Sequence, residues 1–270
     1  MTNKNPAMRG LLIDLDGTLY HGTHRIDDAD RLISYLKETK LPFRFVTNNS
    51  SSTPEEVAER LLKMGIPAAA KDVCTSAQAA AEHIAEIKPG ASVFVVGEAG
   101  LKKAVQDAGL ALTEEQPDFV LQGIDRTFTY ERLTKAVRYI HGGADFVMTN
   151  PDLLLPSTDG LIPGAGSIGA MLRAAGGKEP ILIGKPSSVL MKYSLREIGL
   201  KAEETWVVGD NMATDIAFGE AAGCGTILVL TGLTTAENMS YYMEQAGCKP
   251  TVICNHLEEL RSYISDHREI

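Results

Sequence analysis

The residues of this chain best placed for chemistry are carboxylates at the exits of apolar runs. Asp14 and Asp16, split by Leu15, follow the apolar run 10–13 and precede Gly17. A short apolar run bounded by a turn residue reads as a fully buried parallel strand. Residues two apart on a strand point to the same side. Both carboxylates therefore leave the sheet together at its C-terminal edge, where open α/β sheets bind ligands. Side by side they repel, and such a pair needs a cation, a shared proton or both. An Asp-Gly dipeptide alone also marks ordinary turns. An acid ending four apolar residues is harder to read as a turn, because burying it unpartnered costs several kcal/mol. Asp210 repeats the pattern after the run 205–208 and Gly209. Asp215 is either part of the same acidic group or a first-turn helix acid favoured by the helix dipole.

Other polar groups fall at other strand ends. The run 43–46 leads into Thr47, Asn48 and Asn49, followed by three serines. This cluster offers hydroxyl and amide donors to an anion, or forms a polar loop before a helix opened by Thr53 and Pro54. Lys185 follows the apolar run 180–184 and is held by Pro186. It is either a solvated surface charge or the positive charge that the acids lack. Mg²⁺ takes oxygen ligands and keeps several waters, so Asp14, Asp16 and Asp210 suffice to hold it. Lys185, Thr47 and Asn48 would then hold a phosphate.

The elements that must position these groups alternate. Strands are expected at 10–13, 43–46 and 72–75, and helices at 27–40, 54–64 and 76–87. A second series follows from about Pro89, with strands at 92–96, 118–121 and 145–148 and helices at 98–108 and 130–141. The stretch TNPD at 149–152 follows, then a segment at 157–166 rich in Gly, Pro and Asp, whose glycine-rich loop leads into a helix at 167–175. Its N-terminus either faces an anion or simply caps a tight loop. The chain closes with strands at 180–184, 205–208, 226–230 and 251–254 and helices at 187–199, 216–222 and 256–267. Such alternation argues for parallel sheets with helices on their faces. Pro89 and Pro180 mark hinge points, and no internal repeat or low-complexity segment stands out.

The 270 residues are 44% hydrophobic and 23% charged, with a net charge of -9. This is ordinary globular composition. An acidic chain lacks the basic face that nucleic-acid binding needs, and it repels an anionic substrate unless a cation intervenes. Cys74, Cys224, Cys248 and Cys254 form no CxxC pair and read as reduced, buried thiols. The histidines show no metal-ligand spacing. The opening ten residues are too short and polar for a signal peptide, and no apolar run reaches the ~20 residues that span a bilayer. A cytoplasmic protein that binds neither membrane nor nucleic acid is expected.

Taken together, these stretches resemble the haloacid dehalogenase superfamily of phosphatases. DLDGT at 14–18 matches that superfamily's first motif, Thr47-Asn48 the second, Lys185 in GKP the third and GDNMATD at 209–215 the fourth. The large insert, with TNPD at Thr149 and DGLIPGAG at Asp159, resembles the branch with a type-IIA cap, which includes NagD-like and p-nitrophenyl phosphatase-like enzymes. The resemblance implies an α/β fold: a Rossmann-like parallel-sheet core at 1–88 and 181–270, and an inserted α/β cap at 89–180 that closes over the site as a lid.

By position it implies that Asp14 attacks phosphorus and forms an aspartyl-phosphate. Asp16 is then the acid that protonates the leaving oxygen and the base that activates water. Asp14 and Asp210 would bind Mg²⁺ by side chains and Asp16 by its carbonyl, with Asp215 in support. Thr47, Asn48, Lys185 and, more weakly, Asn49 would bind the phosphoryl group of a small-molecule phosphate ester. Cap loops near Asn150 and Asp159 are expected at the leaving group. His21 and His24 lie either at the mouth of the site or in an ordinary loop. A homo-oligomer formed through the cap stays open. So do a phosphomutase or other phosphotransferase with the same first step, and a non-enzymatic phosphoacceptor module. A ready acid/base at Asp16 argues against the module, and the same acid argues against a dehalogenase.

Overall fold

The computed structural model describes residues 6–157 and 160–269. By its internal contacts the chain divides into two compact units, the first made of Met1–Thr47, Val57–Cys74 and Met191–Ile270, the second of Asn48–Glu56 and Thr75–Leu190.

The first unit is built on a six-stranded sheet in the order Val252–Cys254, Gly225–Val229, Thr205–Gly209, Gly10–Ile13, Phe43–Thr47, Val73–Thr75. Gly10–Ile13 lies between Thr205–Gly209 and Phe43–Thr47 and runs parallel to both. All four of its residues are buried, which is why it reads as a continuous apolar run rather than an alternating one. On the flanking helix Ala29–Glu38, Ala29, Leu32, Ile33 and Leu36 are buried, the i, i+3, i+4, i+7 stripe of an amphipathic helix. They join Leu11, Ile13, Phe45, Trp206 and Leu260 in one core. The chain order of the strands reverses at Gly10–Ile13, so a crevice opens at the C-terminal ends of this strand and Thr205–Gly209.

The second unit carries a five-stranded sheet in the order Ile181–Leu182, Asp145–Met148, Phe119–Gln122, Ser92–Val96, Ala111–Leu112, parallel throughout. Phe94, Val120 and Phe146 pack there with Leu133, Ile140, Ile168 and Leu172 of the covering helices. Both units are thus parallel-sheet α/β folds, as the alternation requires. The expected domain limits, 89–180 for the insert, differ from the contact-based units. The helix Ser76–Ile87 lies in the second unit because it packs on the helix Ala99–Asp107. The 48–56 segment also belongs there, with Gly100 N–H donating to Ser51 O at 3.0 Å.

Three further differences have local causes. The stretch between the expected strand at 145–148 and the expected helix at 167–175, for which no strand was expected, contains an antiparallel hairpin, Leu154–Ser157 with Gly160–Pro163; its Pro residues and glycines hide the strand pattern. Asp159, singled out for its motif, lies outside the described residues. The helix Met239–Ala246 was not expected, because no residue on it is fully buried and so no apolar stripe shows; Met239, Tyr242 and Met243 pack only partly on Met212, Ile216 and Leu228. Finally, residues Met212–Ile216 form a π-helical turn before the helix Ala217–Ala222. All four cysteines are free and buried, and burial pushes the Cys74, Cys224 and Cys254 thiols up to about 12. No helix among the described residues is long and apolar enough to cross a membrane.

Asp118 ties the second sheet at its entry. It accepts hydrogen bonds from Lys88 Nζ at 2.6 Å, Ser92 N–H at 2.9 Å and Ser92 Oγ at 3.0 Å. The lysine bond first, then the serine N–H, hold its carboxyl down at about 2. A folded-state pKa below the ordinary carboxylate value stabilises above that value and ceases to do so as pH falls towards about 2. Asp118→Asn is therefore expected to cost about 1 kcal/mol at neutral pH, the full shift being discounted for the exposure of the pair. Thermal melts followed down in pH should show the gap to wild type closing below the ordinary carboxylate range; a gap independent of pH contradicts this.

Candidate active site

Two parallel neighbours deliver the first acids. Asp14 follows Gly10–Ile13 directly and its N–H donates to Val208 O at 2.9 Å. Asp210 follows Thr205–Gly209, the strand that pairs with Gly10–Ile13 in register Ile13 to Val208. Asp215 comes back from the π-helical turn. Its N–H donates to Asn211 O at 2.9 Å, and its Oδ2 accepts the Asn211 N–H at 3.1 Å. Carboxylate oxygens of Asp14, Asp210 and Asp215 lie within 4.8 Å of one another. Asp210 is 4% exposed and Asp215 1%; Asp14 is half-buried.

Neutral donors hold this group together. The Thr18 hydroxyl, fully buried, lies 3.3 Å from Asp14 Oδ2 and 3.3 Å from Asp210 Oδ1. Leu233 N–H donates to Asp210 Oδ2 at 2.6 Å. Gly17, at φ +89°, and Gly232 both press on the Asp210 carboxylate, and a Cβ at either would overlap Oδ2. Thr231 Oγ1 donates to Gly17 O at 2.8 Å and so links the two glycine turns. Three carboxylates this close to one another repel. An all-oxygen, anionic donor set in that condition fits a hard divalent cation.

Asp16 occupies a different environment. It is exposed and sits in the turn closed by Gly17 N–H donating to Tyr20 O at 2.8 Å. Burial of its carboxyl and the charge of Asp14 raise its pKa, opposed by His21, Arg60 and the Gly22 N–H. Since the residue keeps much solvent contact, the Asp14 charge is the firmer of the two causes. The short hairpin Tyr20–His21 with His24–Arg25 follows. His21 Nε2 lies 2.7 Å from Thr231 O, whereas the His24 ring contacts its neighbour Thr23.

In the second unit, Lys185 is 3% exposed, which removes the surface-charge reading. Asn48 lies against its backbone: Asn48 Oδ1 accepts the Lys185 N–H at 2.7 Å. Asn49 Oδ1 accepts the N–H groups of Ser51 and Ser52, each at 3.0 Å, an Asx turn that serves its own loop. Thr47 is the half-buried last residue of Phe43–Thr47. Sequence reasoning passed over Thr18, Gly232 and Leu233. Thr18 was legible, as the hydroxyl closing DLDGT; the Leu233 contact is a peptide N–H, which any residue supplies.

The profile of the haloacid dehalogenase-like hydrolases matches residues 11–111, and a second profile of the same hydrolase group matches residues 182–260. The chain is 45% identical to the 5′-nucleotidase YutF of Bacillus subtilis over 256 residues, 95% of this chain and 98% of that protein. It is 44% identical to an acid sugar phosphatase of Staphylococcus epidermidis over 229 residues, 84% of this chain and 88% of the relative. Its structure is similar to that of a p-nitrophenyl phosphatase from Archaeoglobus fulgidus, with a TM-score of 0.91 at 36% identity, covering 96% of this chain and all of the other.

If the acidic group is a cation site, calorimetric titration with Mg²⁺ or Mn²⁺ should show saturable binding that Asp210→Asn weakens by more than about tenfold. Gly232→Ala should weaken it too, by displacing the same carboxylate. Equal binding by wild type and both variants contradicts the assignment.

Proposed function

This chain belongs to the haloacid dehalogenase-like hydrolases and is a phosphatase acting on small phosphorylated compounds, and from that premise we propose that it cleaves phosphomonoesters through an aspartyl-phosphate on Asp14, with Mg²⁺ as its metal. The observation that carries the reading is the pairing of Asp14, inside a close acidic group, with Asp16 two residues on, whose pKa is raised. The first needs to be an anion and the second an acid, and the neighbouring Asp14 charge pushes Asp16 towards its acid form.

In the proposed reaction a carboxylate oxygen of Asp14 forms a bond to phosphorus as the ester bond breaks. Protonated Asp16 gives its proton to the departing oxygen. The Asp16 carboxylate then takes a proton from water as that water attacks phosphorus. The bond to Asp14 breaks, inorganic phosphate leaves and Asp16 is protonated again. Lys185, Thr47 and the backbone of the segment 48–49 are assigned to the phosphoryl oxygens, where charge spreads in the transition state. Asp14 and Asp210 would hold the cation by side chains and Asp16 by its carbonyl, with Asp215 in support. When bound, the cation supplies positive charge that offsets repulsion between an anionic nucleophile and an anionic substrate.

Similarity to proteins named 5′-nucleotidase and acid sugar phosphatase supports nucleoside monophosphates and sugar phosphates as the substrate classes to test. Phosphate release over a panel of both should favour one class; transfer to a sugar hydroxyl with no phosphate release would indicate a phosphomutase instead.

Asp14→Asn should lose turnover of p-nitrophenyl phosphate by at least about a thousandfold without loss of fold by circular dichroism; retained turnover contradicts the nucleophile. Asp16→Asn should behave differently. p-Nitrophenolate departs without protonation, so the first step survives while hydrolysis of the intermediate slows. A burst followed by slow turnover is expected, and equal slowing of both phases contradicts the dual role of Asp16.

A further inference from the structure

Lys185 is held through its backbone by a side chain from a distant part of the second unit. The Asn48 carboxamide spans the peptide groups of Lys185: Oδ1 accepts the Lys185 N–H at 2.7 Å and Nδ2 donates to the Lys185 carbonyl at 3.3 Å. The remaining Asn48 N–H goes to Asp152 Oδ2 at 3.1 Å. A primary amide has two N–H donors, so this amide has none left for a phosphoryl oxygen. The backbone of Asn48 is fixed as well, its carbonyl accepting from Ser76 Oγ at 2.7 Å and Asn150 Nδ2 at 2.8 Å. Asn150 Oδ1 in turn accepts the Asp152 N–H at 3.1 Å. Gly184 precedes Lys185 because a Cβ there would overlap Asn48 Oδ1 and Thr149 O.

We propose that Asp152 and Asn48 are positioning residues for Lys185: Asp152 orients the Asn48 carboxamide, and the carboxamide sets the course of the Lys185 backbone and hence the place of its ammonium. The geometry requires a polar chain of this kind. A lysine carries its charge on a flexible four-carbon stem, so the course of the backbone at its Cα helps set where that charge sits. The TNPD stretch thereby acquires a function: Asn150 and Asp152 are the groups that lock Asn48. Asn48 then serves the phosphoryl group through Lys185 rather than by its own amide. This inference rests on Lys185 binding the phosphoryl group.

The test is a mutant cycle on the full chain with p-nitrophenyl phosphate as substrate and inorganic phosphate as inhibitor. Asp152→Ala and Asn48→Ala should each lower kcat/KM about 10-fold to 100-fold, the scale of a misplaced charge, and raise the inhibition constant of phosphate. Asp152→Asn, which can still accept the Asn48 N–H, should keep most of the activity. In a Lys185→Ala background, Asp152→Ala should cost nothing further, because the lysine it positions is gone. If Asp152→Ala does not fold, the isosteric Asn48→Asp, which loses both donors, takes its place and should be partly restored by adding Asp152→Asn. A Lys185→Ala enzyme as active as wild type would overturn the phosphoryl-binding reading and this inference with it. A crippled Lys185→Ala enzyme, combined with losses that multiply or with Asp152→Asn as poor as Asp152→Ala, would overturn the positioning role alone.

Discussion

Three carboxylates forced together govern the first unit. Asp14 and Asp210 emerge from adjacent parallel strands, and Asp215 is folded back onto them by the π-helical turn, so that their oxygens share one small space. Like charges at such separations in a partly buried place are worth several kcal/mol of repulsion. A fold that tolerates this must hold the carboxylates rigidly and balance their charge. The six-stranded sheet does the first, since both strands are buried and cannot slip in register without exposing an apolar face.

The turns around the acids complete the constraint. Gly17 and Gly232 approach the Asp210 carboxylate where no side chain fits, and the Leu233 N–H and Thr18 hydroxyl each point to an oxygen. Thr231 and His21 fasten the neighbouring turn and hairpin to that frame. The same proximity that costs stability is what separates the two chemical roles: Asp14 sits among the acids, while Asp16, turned towards solvent, feels the Asp14 charge and holds its proton more tightly. The acid and nucleophile proposed for this site would thus be distinguished by surroundings, not by residue type.

Much of this arrangement can be read before any coordinates. The apolar runs at 10–13, 92–96 and 145–148 coincide with observed strands, as do the helices Ser76–Ile87 and Tyr130–His141, because periodicity and capping agree there. The acids at 14 and 210 stand out because a charge left at the end of a buried strand is costly unless something binds it. What escaped the reading is carried by the backbone or by long-range packing. The Leu233 N–H has no sequence signature, and only the π-helical turn decides between the two readings of Asp215, a member of the acidic group or a first-turn helix acid. The helix Met239–Ala246 lacks a buried stripe. The alanine-rich helix Ser76–Ile87 gives no hint, from its own residues, that it packs with the second sheet's helices. For Asn48, the residue type was noticed, but its carboxamide is committed to Lys185 and Asp152, a commitment visible only in three dimensions.

Phosphorus passing through Asp14 is the step on which the proposed chemistry stands. Rapid-quench mixing with a phosphate-labelled ester, followed by proteolysis and mass spectrometry, tests it directly. Transient label is predicted on the peptide containing Asp14, stable to acid and released by hydroxylamine as an acyl phosphate is. Label passing straight to free phosphate, or resting on a different residue, would contradict it.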